Sequence, residues 1–182
     1  MKMNIETLAK QGYVSATMAE TVAAHIQNLR KRAIQDSFRD FRQTGHRMEY
    51  VARVRGEEYI DDAKSYNVNS TWFALENMTR PVVWIVGGQT KDVDFSVLRP
   101  LVAKKVCRIV CLGTDNAPIV AAFGDLISDI VETDNMANAV QAAYLMANEG
   151  EVVLLSPSCP SFDLFESYQD KGTQFKQAVY EL

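Results

Sequence analysis

From about residue 48 onward the chain alternates between two hydrophobic periods. Short, nearly continuous apolar runs fall at Val82–Val86, Arg108–Leu112, Asp129–Glu132 and Val152–Leu155, as expected of strands buried on both faces of a sheet. Between them, apolar residues recur three and four apart. Met136, Ala139, Val140, Ala143 and Ala147 form one such helical stripe, with polar residues on the other side. Strand and helix in regular alternation predict an α/β fold with a mostly parallel sheet, right-handed crossovers and helices on both faces. Ahead of this, "MEYVARVRGEEYIDD" alternates on either side of Arg55 and Gly56, which predicts an N-terminal β-hairpin from Met48 to about Ile60. A helix carrying Val68, Trp72 and Leu75 on one face follows, with Asn67 or Asn69 as its N-cap.

The first 44 residues are patterned differently. Met18, Val22, Ile26 and Leu29 make one amphipathic stripe and Ile34, Phe38 and Phe41 a second, so two helices are expected there. "RQTGH", Arg42 to His46, reads as a linker, which divides the chain into 1–44 and 45–182. There is no internal repeat and no low-complexity segment.

Composition narrows the function classes. The chain has 182 residues, 47% of them hydrophobic, with a net charge of −4 and a pI near 5.2. Without a basic stripe, nucleic-acid binding through phosphate neutralisation has no support. The N-terminus lacks the apolar core of a signal peptide, and no apolar run reaches transmembrane length, so a cytoplasmic location without membrane contact is expected. Cys107, Cys111 and Cys159 have no paired spacing, and His25 and His46 are the two histidines. Strand periodicity puts Cys107 and Cys111 on one face as buried thiols. No structural metal is expected.

Three loops at strand ends carry the candidate chemistry: "DDAKSYN" at Asp61–Asn67, "GGQTKDVDF" at Gly87–Phe95 and "SPSCPSF" at Ser156–Phe162. In an open α/β sheet, ligands bind outside the carboxyl ends of the strands. In "VVLLSPSCPSFDLF" a buried strand runs into a knot of serine and proline, and a helix is expected to begin near Ser161. Its free N–H groups and dipole would suit an anion. Taken singly, Lys64 and Lys91 also fit solvated surface charges, and Ser161 also fits a plain helix cap. "GGQTK" lacks the spacing of a phosphate loop, and there is no Gly-x-Ser-x-Gly, so neither nucleotide cradling in that manner nor a nucleophilic serine is expected.

The order of these segments is distinctive. "HRMEYV", "YIDDAKSYNVNSTWFALE", "WIVGGQTKDVDFSVL", "VCLGTDN" and "VVLLSPSCPSFDLFESYQDKGTQF" together resemble the C-terminal domain of the Mur ligases, and within that family the branch that adds D-glutamate to a UDP-linked peptidoglycan precursor. The resemblance runs from His46 to Phe175. It implies a Rossmann-like domain that holds the incoming amino acid, in an enzyme that uses ATP and Mg to activate a carboxylate for amide-bond formation. It implies further that the N-terminal helices are a remnant of the end of the family's central domain. On the nucleotide side it implies roles for Arg47, Asp62 and Asn67. On the substrate side it implies that Lys64, Tyr66, Lys91, Ser161, Phe162 and Tyr168 face D-glutamate or a similar small anion, with Ser161 and Phe162 meeting its side-chain carboxylate.

Departures from the family pattern cluster at ligand-facing positions. Tyr66 replaces a threonine, Asp92 a glycine, Pro160 a small residue and Lys171 an arginine, and Tyr13 and Ala16 take the places of asparagines that serve the adenine. The phosphate-loop and UDP-binding domains have no counterpart in this sequence, so no cofactor is expected on this chain alone. Two readings stay open: part of a working ligase, or a stand-alone binding or regulatory paralogue that no longer ligates. Apolar surface left bare by a missing neighbour is the expected site of any homo-oligomer contact.

Overall fold

The computed structural model describes residues 45–160 and 162–182. The expectations for the two N-terminal helices, for Tyr13 and Ala16 and for Ser161 lie outside the described residues. Six strands form one sheet in the order β1-β2-β6-β3-β4-β5. The hairpin strands β1 (Glu49–Val54) and β2 (Glu57–Asp61) pair antiparallel, and every other pairing is parallel. The hairpin turns at Arg55 and Gly56, both at positive φ, as a two-residue connection requires.

Along the chain, α1 (Val68–Asn77) leads to β3 (Val82–Val86), then a 3₁₀ turn (Phe95–Leu98) and α2 (Arg99–Lys105) lead to β4 (Val106–Leu112). Helix α3 (Ala117–Phe123) precedes β5 (Ile130–Thr133), α4 (Met136–Met146) precedes β6 (Val152–Leu155), and α5 (Tyr168–Tyr180) closes the chain. Alternation along the central strands builds two cores. Val82, Trp84, Val86, Val152 and Leu154 face α1, α2 and α3, whereas Val83, Ile85, Val153 and Leu155 face α4 and α5. β6 lies between β2 and β3, so the loops that leave these three strands meet at one edge of the sheet.

Two expectations are corrected. Cys107 and Cys111 lie on opposite faces, Cys107 with the α4–α5 core and Cys111 with the α1–α3 core. The register slips by one residue at the start of β4, where Val82 pairs with Val106 but Val83 pairs with Arg108. A bulge of this kind reverses the facing of what precedes it. The second correction concerns the last helix. Phe162–Leu164 form a turn and α5 starts at Tyr168. The side chain of Ser167 accepts the Asp170 N–H at 3.1 Å, while Asp170 accepts the Glu166 N–H at 3.1 Å. This Ser-x-x-Asp cap fixes the helix start there. Upstream, the Asp163 carboxylate accepts from the backbone and hydroxyl of Thr114 and ties the turn to the end of β4. Asn67, not Asn69, caps α1 by accepting the Ser70 N–H at 2.9 Å.

Candidate functional site

The site is built from the end of β2 outward. Asp61 and Asp62 are consecutive and both fully buried, and as neighbours in extended chain they point to opposite faces. Asp62 accepts the Met48 N–H at 3.2 Å and the Ser156 hydroxyl at 2.9 Å. The Ser156 hydroxyl also meets that of Thr71 at 2.8 Å, and the Arg47 guanidinium reaches the Ser65 hydroxyl at 3.4 Å. Burial pushes the Asp62 carboxyl up to about 7, against the opposing pull of Ser65 and the Arg47 charge. Asp61 pairs with the His46 ring at 2.6 Å, accepts the Ala63 N–H at 2.9 Å and lies 3.8 Å from the Lys176 ammonium. That ammonium donates to Glu49 at 2.7 Å, and this bond holds the Glu49 carboxyl below its ordinary range. Among the described residues, His46, Glu49 and Asp61 are the group close enough together to ligate a metal. The Lys176 ammonium already meets both carboxylates, so the cluster is an ionic clamp between the entry to β1, the end of β2 and α5.

On the α5 side of this clamp opens a cavity of about 280 Å³. Its walls come from the loop after β2 (Ala63, Tyr66), the loop after β6 (Pro160, Phe162) and the start of α5 (Ser167, Tyr168, Lys171). Tyr66, 49% exposed, and Phe162, 70% exposed, form its mouth. Lys171 is only 3% exposed, and burial lowers its ammonium to about 8, with Cys159, Asp163 and Asp61 acting the other way. The ammonium lies 5.5 Å from the Phe165 ring centroid, and that of Lys64 lies 5.4 Å from the Tyr168 ring centroid. Backbone bonds lace the loops together: Asp62 N–H to Leu155 O at 2.9 Å, Ser158 N–H to Ser65 O at 2.9 Å and Gln89 N–H to Pro160 O at 2.7 Å. Gly87, at positive φ, passes so close to the Leu112 carbonyl that a Cβ would overlap it.

Four residues singled out from the sequence gather here. Tyr66, Phe162 and Tyr168 line the cavity, and Lys64 flanks it across the Tyr168 ring. Lys91 is exposed in the loop after β3 and is not among the lining residues, and neighbouring Asp92 is exposed at positive φ. Arg47 and Asp62 belong to the buried network with Ser156 and Thr71, while the Asn67 side chain serves as the cap of α1. Phe162 lies in a turn, so no helix N-terminus lies at its N–H. Lys171 was read from sequence only as a departure from the family pattern, and Ser167 was not among the candidates. The Ser-x-x-Asp of Ser167 to Asp170 was the available signal for the second, whereas nothing local marks Lys171 as a cavity wall. The thiols offer no nucleophile: burial pushes Cys107 up to about 11 and Cys111 and Cys159 up to about 12. The arrangement can therefore hold an anion against an apolar wall, and among the described residues it displays no poised nucleophile.

Comparison with known proteins bears on the family and the fold. Residues 46–159 match the family model described as Mur ligase, glutamate ligase domain. The chain is 46% identical over 182 residues to the UDP-N-acetylmuramoylalanine--D-glutamate ligase of Christiangramia forsetii and 43% identical to that of Porphyromonas gingivalis. Each match takes in 99% of this chain but only 41% and 40% of the relative, so the chain spans about two fifths of the curated relatives it matches. Among solved structures, E. coli FolC in complex with ADP superposes with a TM-score of 0.53 at 17% identity, covering 75% of this chain and 32% of that one. The UDP-N-acetylmuramate-alanine ligase MurC of Thermotoga maritima superposes with a TM-score of 0.50 at 12% identity, over 80% of this chain and 32% of that one. Those two likenesses concern the fold alone. No helix among the described residues is long and apolar enough to cross a membrane. With a family-model match over more than half of its length, the chain belongs to the Mur ligase family and carries its glutamate ligase domain.

Proposed function

We propose that the chain supplies the amino-acid-binding half of a D-glutamate-adding ligase and does not ligate on its own. The observation that carries this reading is the convergence of Tyr66, Phe162, Tyr168 and Lys171 on one cavity, with Lys64 beside it, at the strand edge where α/β sheets bind ligands. In this reading ATP and Mg act on the parts of a complete ligase that lie outside this sequence. Arg47, Asp62 and Asn67 face that nucleotide side, and Lys64 and Lys91 neutralise anions during closure. Phosphoryl transfer needs a phosphate cradle and a bound cation, and the sequence contains no phosphate loop. D-glutamate binds the chain alone weakly, on the order of millimolar or worse, because a small polar ligand gains little from burial and loses its hydration.

A chimaera tests this. The 182 residues replace the corresponding part of the Christiangramia forsetii enzyme, and phosphate release dependent on D-glutamate is measured. The chimaera is expected to ligate, and Tyr66→Thr with Asp92→Gly to lower its KM for D-glutamate. A folded chimaera that releases no phosphate on addition of D-glutamate would refute the reading. That result would favour a stand-alone binding module, for which the bulk of Tyr66 at the cavity mouth is the supporting observation.

A further inference from the structure

Asp62 has no exposed surface, so it acts on the nucleotide side through a neighbour rather than by contact. Its neighbours form a chain of hydroxyls drawn from separate segments. The Thr71 hydroxyl, on α1, meets that of Ser156, at the end of β6, at 2.8 Å, and the Ser156 hydroxyl donates to the Asp62 carboxylate at 2.9 Å. Asp62 also accepts from the Ser65 hydroxyl, which in turn accepts from the Arg47 guanidinium at 3.4 Å. Thr71, Ser156, Asp62 and Ser65 are fully buried, whereas Arg47 is only partly so. The backbone of Ser156 is pinned to β3, its N–H donating to Ile85 O at 3.1 Å and its carbonyl accepting the Trp84 indole N–H at 2.8 Å. Because the Ser156 proton is engaged by Asp62, Thr71 is the donor of the bond between the two hydroxyls. The chain therefore has a direction, from Thr71 through Ser156 to Asp62.

Resting on the reading above, in which Arg47 faces the nucleotide, we infer that Ser156 and Thr71 are positioning residues for ATP: their hydroxyls hold the Asp62 carboxylate in place, and Asp62, through Ser65 and its own charge, holds the Arg47 guanidinium. A buried carboxylate keeps its charge only while donors replace its lost hydration. Burial already pushes Asp62 up to about 7, against the pull of Ser65, Arg47, Ser156 and the Met48 N–H. Loss of one charge-assisted donor therefore tips it towards the neutral acid, which no longer attracts the guanidinium. Thr71 acts one step further back. Without its hydroxyl, the Ser156 oxygen loses its donor, and the orientation of the Ser156 proton towards Asp62 is less firmly set.

The test uses the chimaera and the 182-residue chain. In the chimaera, Ser156→Ala should raise the KM for ATP about tenfold and Thr71→Val about threefold, with kcat and the KM for D-glutamate each within about twofold of the parent. Thr71→Ser keeps the hydroxyl and should behave as the parent. A loss of stability alone lowers the folded fraction, and with it kcat, but leaves KM unmoved. Thr133→Val, which removes a hydroxyl bonded to Cys111 O at 2.7 Å on the far edge strand, should accordingly leave the KM for ATP unchanged. In the chain alone, hydrogen exchange at the Arg47 Nε–H, followed by NMR, should quicken about tenfold in Ser156→Ala and about threefold in Thr71→Val, and keep the parent rate in Thr71→Ser and Thr133→Val. A ligating chimaera whose KM for ATP moves in neither Ser156→Ala nor Thr71→Val, or parent exchange at Arg47 in both, would overturn the inference. If Ser156→Ala does not fold, Thr71→Val against Thr71→Ser decides it. A chimaera that never ligates sinks the reading above, and exchange at Arg47 then judges the hydroxyl chain by itself.

Discussion

Gly172 sits where helix α5 crosses the His46–Asp61 pair, and a Cβ built there would overlap both the imidazole and the carboxylate. A glycine in the interior of a helix costs up to about 1 kcal/mol relative to alanine. Here that cost allows the helix to lie against the clamp. Gly172→Ala should therefore destabilise the protein by about 1–3 kcal/mol despite its better helix propensity, because overpacking outweighs it. Urea unfolding with an unchanged m-value checks this, and a stabilised variant would show that the clamp yields without cost. Some of the residue chemistry was legible from sequence, since the family resemblance pointed to Lys64, Tyr66, Phe162 and Tyr168, and these stand at one cavity. Lys171 was noted only as a departure from a pattern. Its importance arises from burial between α5 and the loop after β6, and no local spacing reports a tertiary surrounding.

At the scale of elements, apolar runs marked β3 and β6 to the residue, because both strands are covered on both faces and leave no polar alternation to confuse their ends. The bulge at the start of β4 was not legible. It depends on pairing with β3, and an extra residue in one strand has no signature in that strand alone. The start of α5 was misplaced for a related reason. Ser161 and Ser167 are both serines ahead of a polar, aromatic stretch, and only Ser167 has a carboxyl residue three positions on to complete the cap. Ser167→Ala should lower stability by about 1 kcal/mol and raise hydrogen exchange at the first turn of α5, since the Asp170 N–H loses its acceptor. Because Tyr168 and Lys171 ride on that turn, the same variant should weaken any cavity ligand. Unaltered exchange at Tyr168–Lys171 would show that Asp170 alone holds the helix start.

At the scale of the whole molecule, the sheet order sets the charge balance of the core. β6 comes last among the strands yet lies between β2 and β3, which places Ser156 beside Asp62 and carries α5, with Lys171, across the end of β2. Among the ionisable groups buried there, Asp62 and Lys171 are displaced in opposite directions, and the displacements act in different pH ranges. Asp62 is raised from 3.8 to about 7, so between these values the folded state holds the proton more firmly than the unfolded chain. Its favourable contribution is complete below about pH 4 and is lost as pH rises through 7, a change of about 4 kcal/mol. Lys171 is lowered from 10.5 to about 8, so between these values the unfolded chain holds more protons and stability rises with pH, by about 3 kcal/mol. These two groups together give a minimum of stability between about pH 7 and 8, where Asp62 is ionised and Lys171 is still charged. Urea unfolding at pH 5, 7.5 and 9.5 should find the lowest free energy at the middle value. Asp62→Asn keeps an acceptor for the Met48 N–H and a donor for Ser156, so it should remove the acid side of the trough. Lys171→Met should remove the alkaline side, and the double variant should be nearly flat across the range. A wild-type profile with its maximum near pH 7.5, or a double variant that retains the trough, would show that neither group carries its charge unaided in the folded core.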